Sequence, residues 1–282
     1  MAFPLRFGLG TGNRRPFAEL AEEWQMIEAL GFDTAWVVDH FMAENDERKP
    51  YYEAWTLITA LGMLTERLRF GILVSGNTYR NPSLLAKQAV TVDHASNGRV
   101  ELGIGAGWME REHAAYGFDL PPVRQRLEML EEALQVIGSL MINERTTFHG
   151  KHYRLENAPF EPKPLQQPRI PIIVGAFRPK MIALAARYAD SWNTRGTPEE
   201  LGPSVATFRE AARRAGRDPD TIRLSVFAWE HPFTSEERFR ETVVAYRRLG
   251  FTDIIFPMPP RDSWSVLERC ATRVIPELRA SR

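Results

Sequence analysis

Short apolar runs alternate with amphipathic stretches along the whole chain, and this alternation predicts a parallel sheet covered by helices. The first apolar run is Leu5-Arg6-Phe7-Gly8-Leu9. After it, Phe17, Leu20, Ala21, Trp24, Ile27 and Leu30 recur at the i, i+3, i+4, i+7 spacing of a helix with one buried face. Gly31 follows, where a helix end favours a residue free to take positive φ. Thr34-Ala35-Trp36-Val37-Val38 then reads as a buried strand. Further strands are predicted over residues 69–74, 99–104, 170–174, 189–193, 222–227 and 252–256. Further helices are predicted over 53–64, 83–95, 124–141, 178–187, 199–215, 235–248 and 263–274. Near-continuous apolar strands between amphipathic helices belong to a parallel sheet with both faces covered. Two helix starts read as capping boxes, Thr197-Pro198-Glu199-Glu200 and Thr234-Ser235-Glu236-Glu237.

The count is eight strands and eight helices. It favours a closed (β/α)₈ (TIM) barrel, with an open doubly wound sheet as the alternative. A barrel needs about 250 residues, so the 282 residues are read as a single domain spanning 1–282. Leu30-Gly31-Phe32-Asp33 and Leu249-Gly250-Phe251-Thr252 precede the second and eighth strands and echo one another. Two long stretches, 105–123 and 142–168, flank the helix between strands four and five and read as insertions. Loops after strand C-termini build a barrel's active site, so 105–123 is expected there. The second stretch follows a helix and starts on the opposite face.

Composition narrows the partners. The 36 basic and 36 acidic residues give zero formal charge, and no long basic run exists. Nucleic acid and anionic membranes are therefore not expected as partners. Cys270 is the one cysteine, so neither an intrachain disulfide nor a cysteine metal cage can form. The histidines lack metal-ligand spacing, and no metal is expected. No nucleophile elbow or phosphate-binding P-loop is present. No apolar run reaches about 18 residues, and residues 1–12 lack a secretory-signal pattern. A cytoplasmic protein is expected.

Candidate chemistry collects at the predicted strand ends. Asp39-His40 closes the second strand, where a histidine suits proton transfer; a structural histidine at a cap is the other role open to it. Gly103-Ile104-Gly105-Ala106-Gly107-Trp108 ends the fourth strand, and its glycines would let backbone N–H groups approach an anion. Gly175-Ala176-Phe177 precedes a helix N-terminus, a second place for a phosphate. Either turn also reads as an ordinary tight strand exit. Ser75-Gly76-Asn77-Thr78-Tyr79-Arg80-Asn81-Pro82 follows the third strand with polar donors for a ring's edge. Arg80 could bind an anion or pair with a carboxylate, and the structural ion pair is the favoured role.

In order along the chain, several segments together resemble the luciferase-like monooxygenase superfamily. They are Ala35-Trp36-Val37-Val38-Asp39-His40-Phe41, Glu53-Ala54-Trp55-Thr56, Leu68-Arg69-Phe70-Gly71 through Tyr79-Arg80-Asn81-Pro82, and Ala86-Lys87-Gln88 through Thr91-Val92-Asp93-His94. Asn97 to Trp108, Phe148 to Tyr153, Pro162-Lys163-Pro164 and Ala185 to Asn193 complete the series. The resemblance covers about residues 5–195, and the remainder is generic.

The Trp-Val-Val-Asp-His-Phe segment and the Gly-Ala-Gly-Trp turn look most like members that use coenzyme F420. The resemblance implies a deazaflavin at the C-terminal mouth, with His40 near its reactive C5 and Asp39 orienting the imidazole. It implies that Leu73, Val74 and Ser75 back the ring, in a region where the family often has a non-proline cis peptide. Backbone of Gly105, Ala106 and Gly107 and of Gly175, Ala176 and Phe177 would hold the phosphate. Asn77, Trp108 and Asn193 complete the expected cofactor contacts. The resemblance also implies a small-molecule substrate and a homodimer. FMN is the alternative cofactor, in a monooxygenase of the same fold, and a non-catalytic flavin-binding barrel is a third reading. The sugar-phosphate dehydrogenase branch carries a tryptophan shortly after Asp-His and a glutamate after the glycine turn. Here those places hold Ala43 or Glu44, and Trp108, so a glucose-6-phosphate-like substrate is not expected.

Overall fold

A computed structural model of the chain describes residues 3–43, 46 and 48–281, and in it the predicted alternation closes on itself. The strands are β1 (Arg6–Gly10), β2 (Thr34–Val37), β3 (Arg69–Ile72), β4 (Ser75–Gly76), β5 (Val100–Gly105), β6 (Arg145–His149), β7 (Arg154–Pro159), β8 (Ile172–Gly175), β9 (Ser191–Arg195), β10 (Arg223–Phe227) and β11 (Asp253–Pro257). The helices are α1 (Phe17–Ala29), α2 (Ala54–Gly62), α3 (Pro82–Ala95), α4 (Glu110–Tyr116), α5 (Val123–Ile142), α6 (Pro179–Tyr188), α7 (Pro198–Arg214), α8 (Glu236–Arg248), α9 (Trp264–Arg269) and α10 (Ile275–Ala280).

Nine strands run in the order β3-β2-β1-β11-β10-β9-β8-β5-β4, and β3 also pairs with β5. All of these pairings are parallel. The β3–β5 pairing joins the two ends of the sheet, which excludes the open doubly wound arrangement. β3 and β4 are two pieces of one stave, separated by Leu73 and Val74, whose peptide bond is cis. The barrel therefore has eight staves and is a (β/α)₈ barrel.

Period-two alternation sorts the staves into two cores. Phe7, Leu9, Phe70, Ile72, Leu102, Ile104, Val174 and Trp192 face outward and join the helix stripes in one continuous buried layer. Trp24 and Ile27 of α1 belong to it, as their spacing predicted. Each large apolar side chain buried this way stabilises by roughly 1.5–3 kcal/mol. Inside the barrel a smaller cluster of Trp36, Ile173 and Ile255 packs with Leu73 and Phe227. Toward the N-terminal end the interior is ionic. Arg6 donates to Glu101 at 2.6 Å and to Asp253 at 3.0 Å, and Arg69 donates to Glu101 at 2.7 Å. Burial pushes the Glu101 carboxyl up, but Arg6 and then Arg69 outweigh it and hold the group at about 2.

Gly31 and Gly250 both take positive φ, at 78° and 97°, so the echoed tetrapeptides make the same helix exit. The Thr197 box forms, with the Glu200 carboxylate accepting from Thr197 N at 3.0 Å. The second cap sits one residue later than expected: Ser235 Oγ, not Thr234, accepts from Arg238 N at 3.0 Å. The helix expected over 263–274 is longer and irregular, passing from α9 through a π-helical turn at Cys270–Val274 into α10.

Both long stretches hold elements that periodicity did not show. Residues 105–123 contain α4, which ends at Gly117 with φ 70°. Residues 142–168 contain the antiparallel β6–β7 hairpin. Its tip lies along α5, where Glu132 accepts from Lys151 N, His152 N and Tyr153 N. Tyr153 thereby reaches the mouth, where its hydroxyl accepts from Asn77 Nδ2 at 3.2 Å.

Candidate active site

The two glycine turns end neighbouring staves, because β5 pairs with β8 through Leu102↔Ile172 to Ile104↔Val174. Val74 lies against both. A Cβ on Gly105 would stand 2.7 Å from Val74 Cγ2, and one on Gly175 would stand 3.1 Å from both Val74 methyls. The three residues form a close-packed cradle, and a side chain added to either glycine would press on Val74. Leu73 packs beneath it on the inner cluster. Gly107 holds φ 76°, and Thr78 occupies the space a Cβ there would need. Such left-handed backbone favours glycine.

Ser75 is turned away from the mouth. Its hydroxyl accepts from Trp55 Nε1 on α2 at 3.2 Å, so only its backbone is left for the expected ring contact. Asn77 is buried; its N–H donates to Gly105 O at 2.9 Å, while Oδ1 has no partner among the described residues. Asn193 donates through Nδ2 to Ser225 Oγ at 2.9 Å, and its carbonyl accepts from Ala176 N at 2.8 Å. Ala176 is buried, with its carbonyl accepting from Trp192 Nε1 at 2.8 Å. Phe177 is exposed beneath the Arg195 guanidinium, 4.4 Å from the ring centre. Ala106 is half-buried against the outer core. Trp108 is 58% exposed and meets the His40 ring edge-on at 5.6 Å.

His40 does not hydrogen-bond Asp39, which corrects the expected orienting role. Asp39 is buried and fully engaged elsewhere. Its carboxylate takes both amino groups of Arg80, at 2.5 and 3.0 Å, and accepts Gly76 N–H at 2.8 Å. Arg80 also donates to Glu53 at 2.5 Å, and Glu53 caps α2 through Trp55 N and Thr56 N. Arg80 is thus in the ion pair expected, and the Asp39 cluster ties β4 to α2.

The partner of His40 is Glu112 on α4, with Nδ1 and Oε2 2.9 Å apart. Tyr79 Oη donates to the same Oε2. Glu112 Oε1 accepts from Phe41 N at 2.6 Å and Met42 N at 3.2 Å. Burial pushes the Glu112 carboxyl up, but His40, Tyr79 and the Phe41 N–H bring it below the usual range. Burial and Glu112 push the Tyr79 phenol up, so it stays a donor. Glu112 is not among the residues the sequence points to, and Tyr79 enters there only as part of the Ser75-to-Pro82 run. The available signal was an acidic residue in the helix directly after a glycine turn.

A cavity of about 340 Å³ is lined by Met42, Trp108, Met109, Glu110 and Arg111; of these, Trp108 meets the His40 ring. Ala43 is buried; Glu44, the other position compared with the sugar-phosphate branch, lies outside the described residues. Several other histidines are held in contacts within the fold. His113, for example, bridges Met109 O at 2.7 Å and Thr78 Oγ1 at 2.7 Å. No helix among the described residues is long and apolar enough to cross a membrane.

A parallel barrel with glycine turns, an interrupted third stave and an imidazole at one mouth has the form of a (β/α)₈ enzyme, and what such a barrel does is set by its site, not its fold alone. Residues 1–263 match the luciferase-like monooxygenase family. The chain belongs to that family and is an oxidoreductase of monooxygenase-like type. An uncharacterised protein of Mycobacterium tuberculosis is 31% identical over 79% of this chain and 76% of its own length. An F420-dependent glucose-6-phosphate dehydrogenase of Microbacterium testaceum is 26% identical over 99% of both chains. Among solved structures, an F420-dependent secondary alcohol dehydrogenase in complex with an F420-acetone adduct aligns with TM-score 0.85 at 20% identity. That alignment covers 96% of this chain and 100% of the other.

Proposed function

We propose that this protein is a coenzyme F420-dependent oxidoreductase acting on a small organic substrate in the mouth beside His40. The carrying observation is the cradle of Val74, Gly105 and Gly175 at the same mouth as His40, whose Nε2 has no partner among the described residues. Both glycine turns approach Val74 this closely only because they carry no side chain. The unpartnered Oδ1 of Asn77 offers an acceptor for a ligand N–H or O–H. Curated relatives named as F420-dependent support the deazaflavin over FMN.

The residues fit such a group. Val74 and Leu73 would back the ring, and the turns at Gly105-Ala106-Gly107 and Gly175-Ala176-Phe177 would hold its phosphate. When bound, F420 supplies hydride exchange at C5. His40 Nε2 takes a proton from the substrate, or returns it, as hydride moves. General acid–base help of this kind is worth about 10²–10⁴-fold. Trp108 stands where the sugar-phosphate branch has a glutamate, which argues for a substrate other than glucose 6-phosphate.

Side-by-side titration of the purified protein with F420 and FMN tests the reading. Saturable F420 binding is expected, with absorbance near 420 nm rather than about 450 nm. Binding of FMN alone would move the assignment to a flavin monooxygenase; binding of neither, to a non-catalytic barrel. Sedimentation of the same sample tests the homodimer.

A further inference from the structure

We propose that Glu112 is a positioning residue for His40: its carboxylate fixes the imidazole tautomer and leaves Nε2 as the proton acceptor facing the mouth. The proposal rests on His40 being the proton-transfer group of the reading above.

The two oxygens of Glu112 divide their work. Oε1 takes the backbone N–H groups of Phe41 and Met42, which fixes the turn after β2. Oε2 takes His40 Nδ1 and Tyr79 Oη. The side chain is fully buried, and the donors around it hold it ionised. An ionised carboxylate accepts only. Tyr79 is kept protonated by its own burial and by Glu112, so its hydroxyl supplies one proton to Oε2. Nδ1 must supply the other. The neutral ring therefore carries its proton on Nδ1, and Nε2 keeps its lone pair. In a catalytic triad a carboxylate does the same for its imidazole: it holds tautomer and orientation without itself becoming protonated.

A purely structural Glu112 would use only Oε1. Glu112→Gln separates the two jobs. The glutamine carbonyl can still accept from Phe41 N and Met42 N, so the turn is kept. Its NH₂ then lies where Oε2 was, facing Nδ1 and the Tyr79 hydroxyl as a donor. Nδ1 becomes an acceptor, the proton moves to Nε2, and the base is lost.

The readout is the tautomer of His40 by ¹⁵N NMR in alkaline solution, on protein with labelled histidine and no cofactor. The resonance is assigned by its absence in His40→Asn. Wild type is expected to show Nδ1–H and Glu112→Gln to show Nε2–H. With F420 bound, kcat of Glu112→Gln is expected to fall about 10²–10⁴-fold, with cofactor Kd within about threefold of wild type. Glu112→Asp, which keeps the acceptor, should retain the Nδ1–H tautomer. Wild-type His40 with its proton on Nε2 overturns the proposal, even if Glu112→Gln does not fold. So does a Glu112→Gln enzyme that turns over at the wild-type rate while His40→Asn is inactive. The tautomer measurement uses no cofactor, so a failed F420 titration leaves it standing as a separate result.

Discussion

Val74 Cγ2 lies where a side chain on Gly105 would begin, 2.7 Å from the Cβ position. The relationship joins the break between β3 and β4 to the end of β5, and Gly175 meets the same methyls at 3.1 Å. Gly105→Ala must displace Val74. Overpacking of this kind costs about 1–3 kcal/mol, and the displaced group is the one expected to back the ring. F420 titration should show Kd raised about tenfold or more, with the melting temperature lowered by a few degrees. An unchanged Kd would remove Val74 from the cofactor site.

Arg80 carries the buried charge that Asp39 needs. Arg80→Met leaves Asp39 buried without its bidentate partner, a loss of about 3–5 kcal/mol for a broken buried pair. Thermal unfolding should show a drop on the order of 10 °C. Adding Asp39→Asn removes the stranded charge, so the double variant should melt above Arg80→Met alone. Additive losses in the two variants would show that the pair is not coupled.

Glu101 makes the barrel floor acid-sensitive. Its folded carboxyl lies at about 2, below the ordinary 4.5. A depressed carboxyl stabilises fully above its unfolded value, and that stability is lost as pH falls from about 4.5 to 2. The shift corresponds to about 3 kcal/mol. Denaturant titrations should find Glu101→Gln destabilised at pH 7 and nearer to wild type at pH 3. A constant gap between the two pH values would contradict the linkage.

Glu23 on α1 has the opposite sign. Burial raises its carboxyl to about 7 from 4.5, against the attraction of Arg15. The folded state then holds a proton that the unfolded chain releases, so stability falls as pH rises between about 4.5 and 7. Glu23→Gln should therefore melt higher than wild type at pH 8 and about equally at pH 4.5. Equal melting temperatures at both pH values would place the Glu23 titration in the ordinary range.

Much of the fold and part of the site could be read from residue order. The spacing of Leu20, Trp24 and Ile27 marks a buried helix stripe, and Gly31 marks its exit. The strand runs mark eight staves, and Asp39-His40 and the two glycine turns stand at predicted strand ends. These are local signals, set by periods of 3.6 and 2 and by backbone freedom at glycine. Even in the 105–123 stretch, a helix too short to show a clear period carried Glu112 unnoticed.

What each polar group binds was decided only when the barrel closed. Asp39 lies beside His40 in sequence, yet the two side chains find their partners on different elements. Asp39 meets Arg80, 41 residues on, and His40 meets Glu112, 72 residues on. Burial then compels each charged group to find a partner. The sequence therefore determined the staves, the helices and the candidate histidine. Only tertiary packing decided that a glutamate from the next-but-one βα loop holds that histidine's ring, and that Val74 brings two separate glycine turns into one cradle.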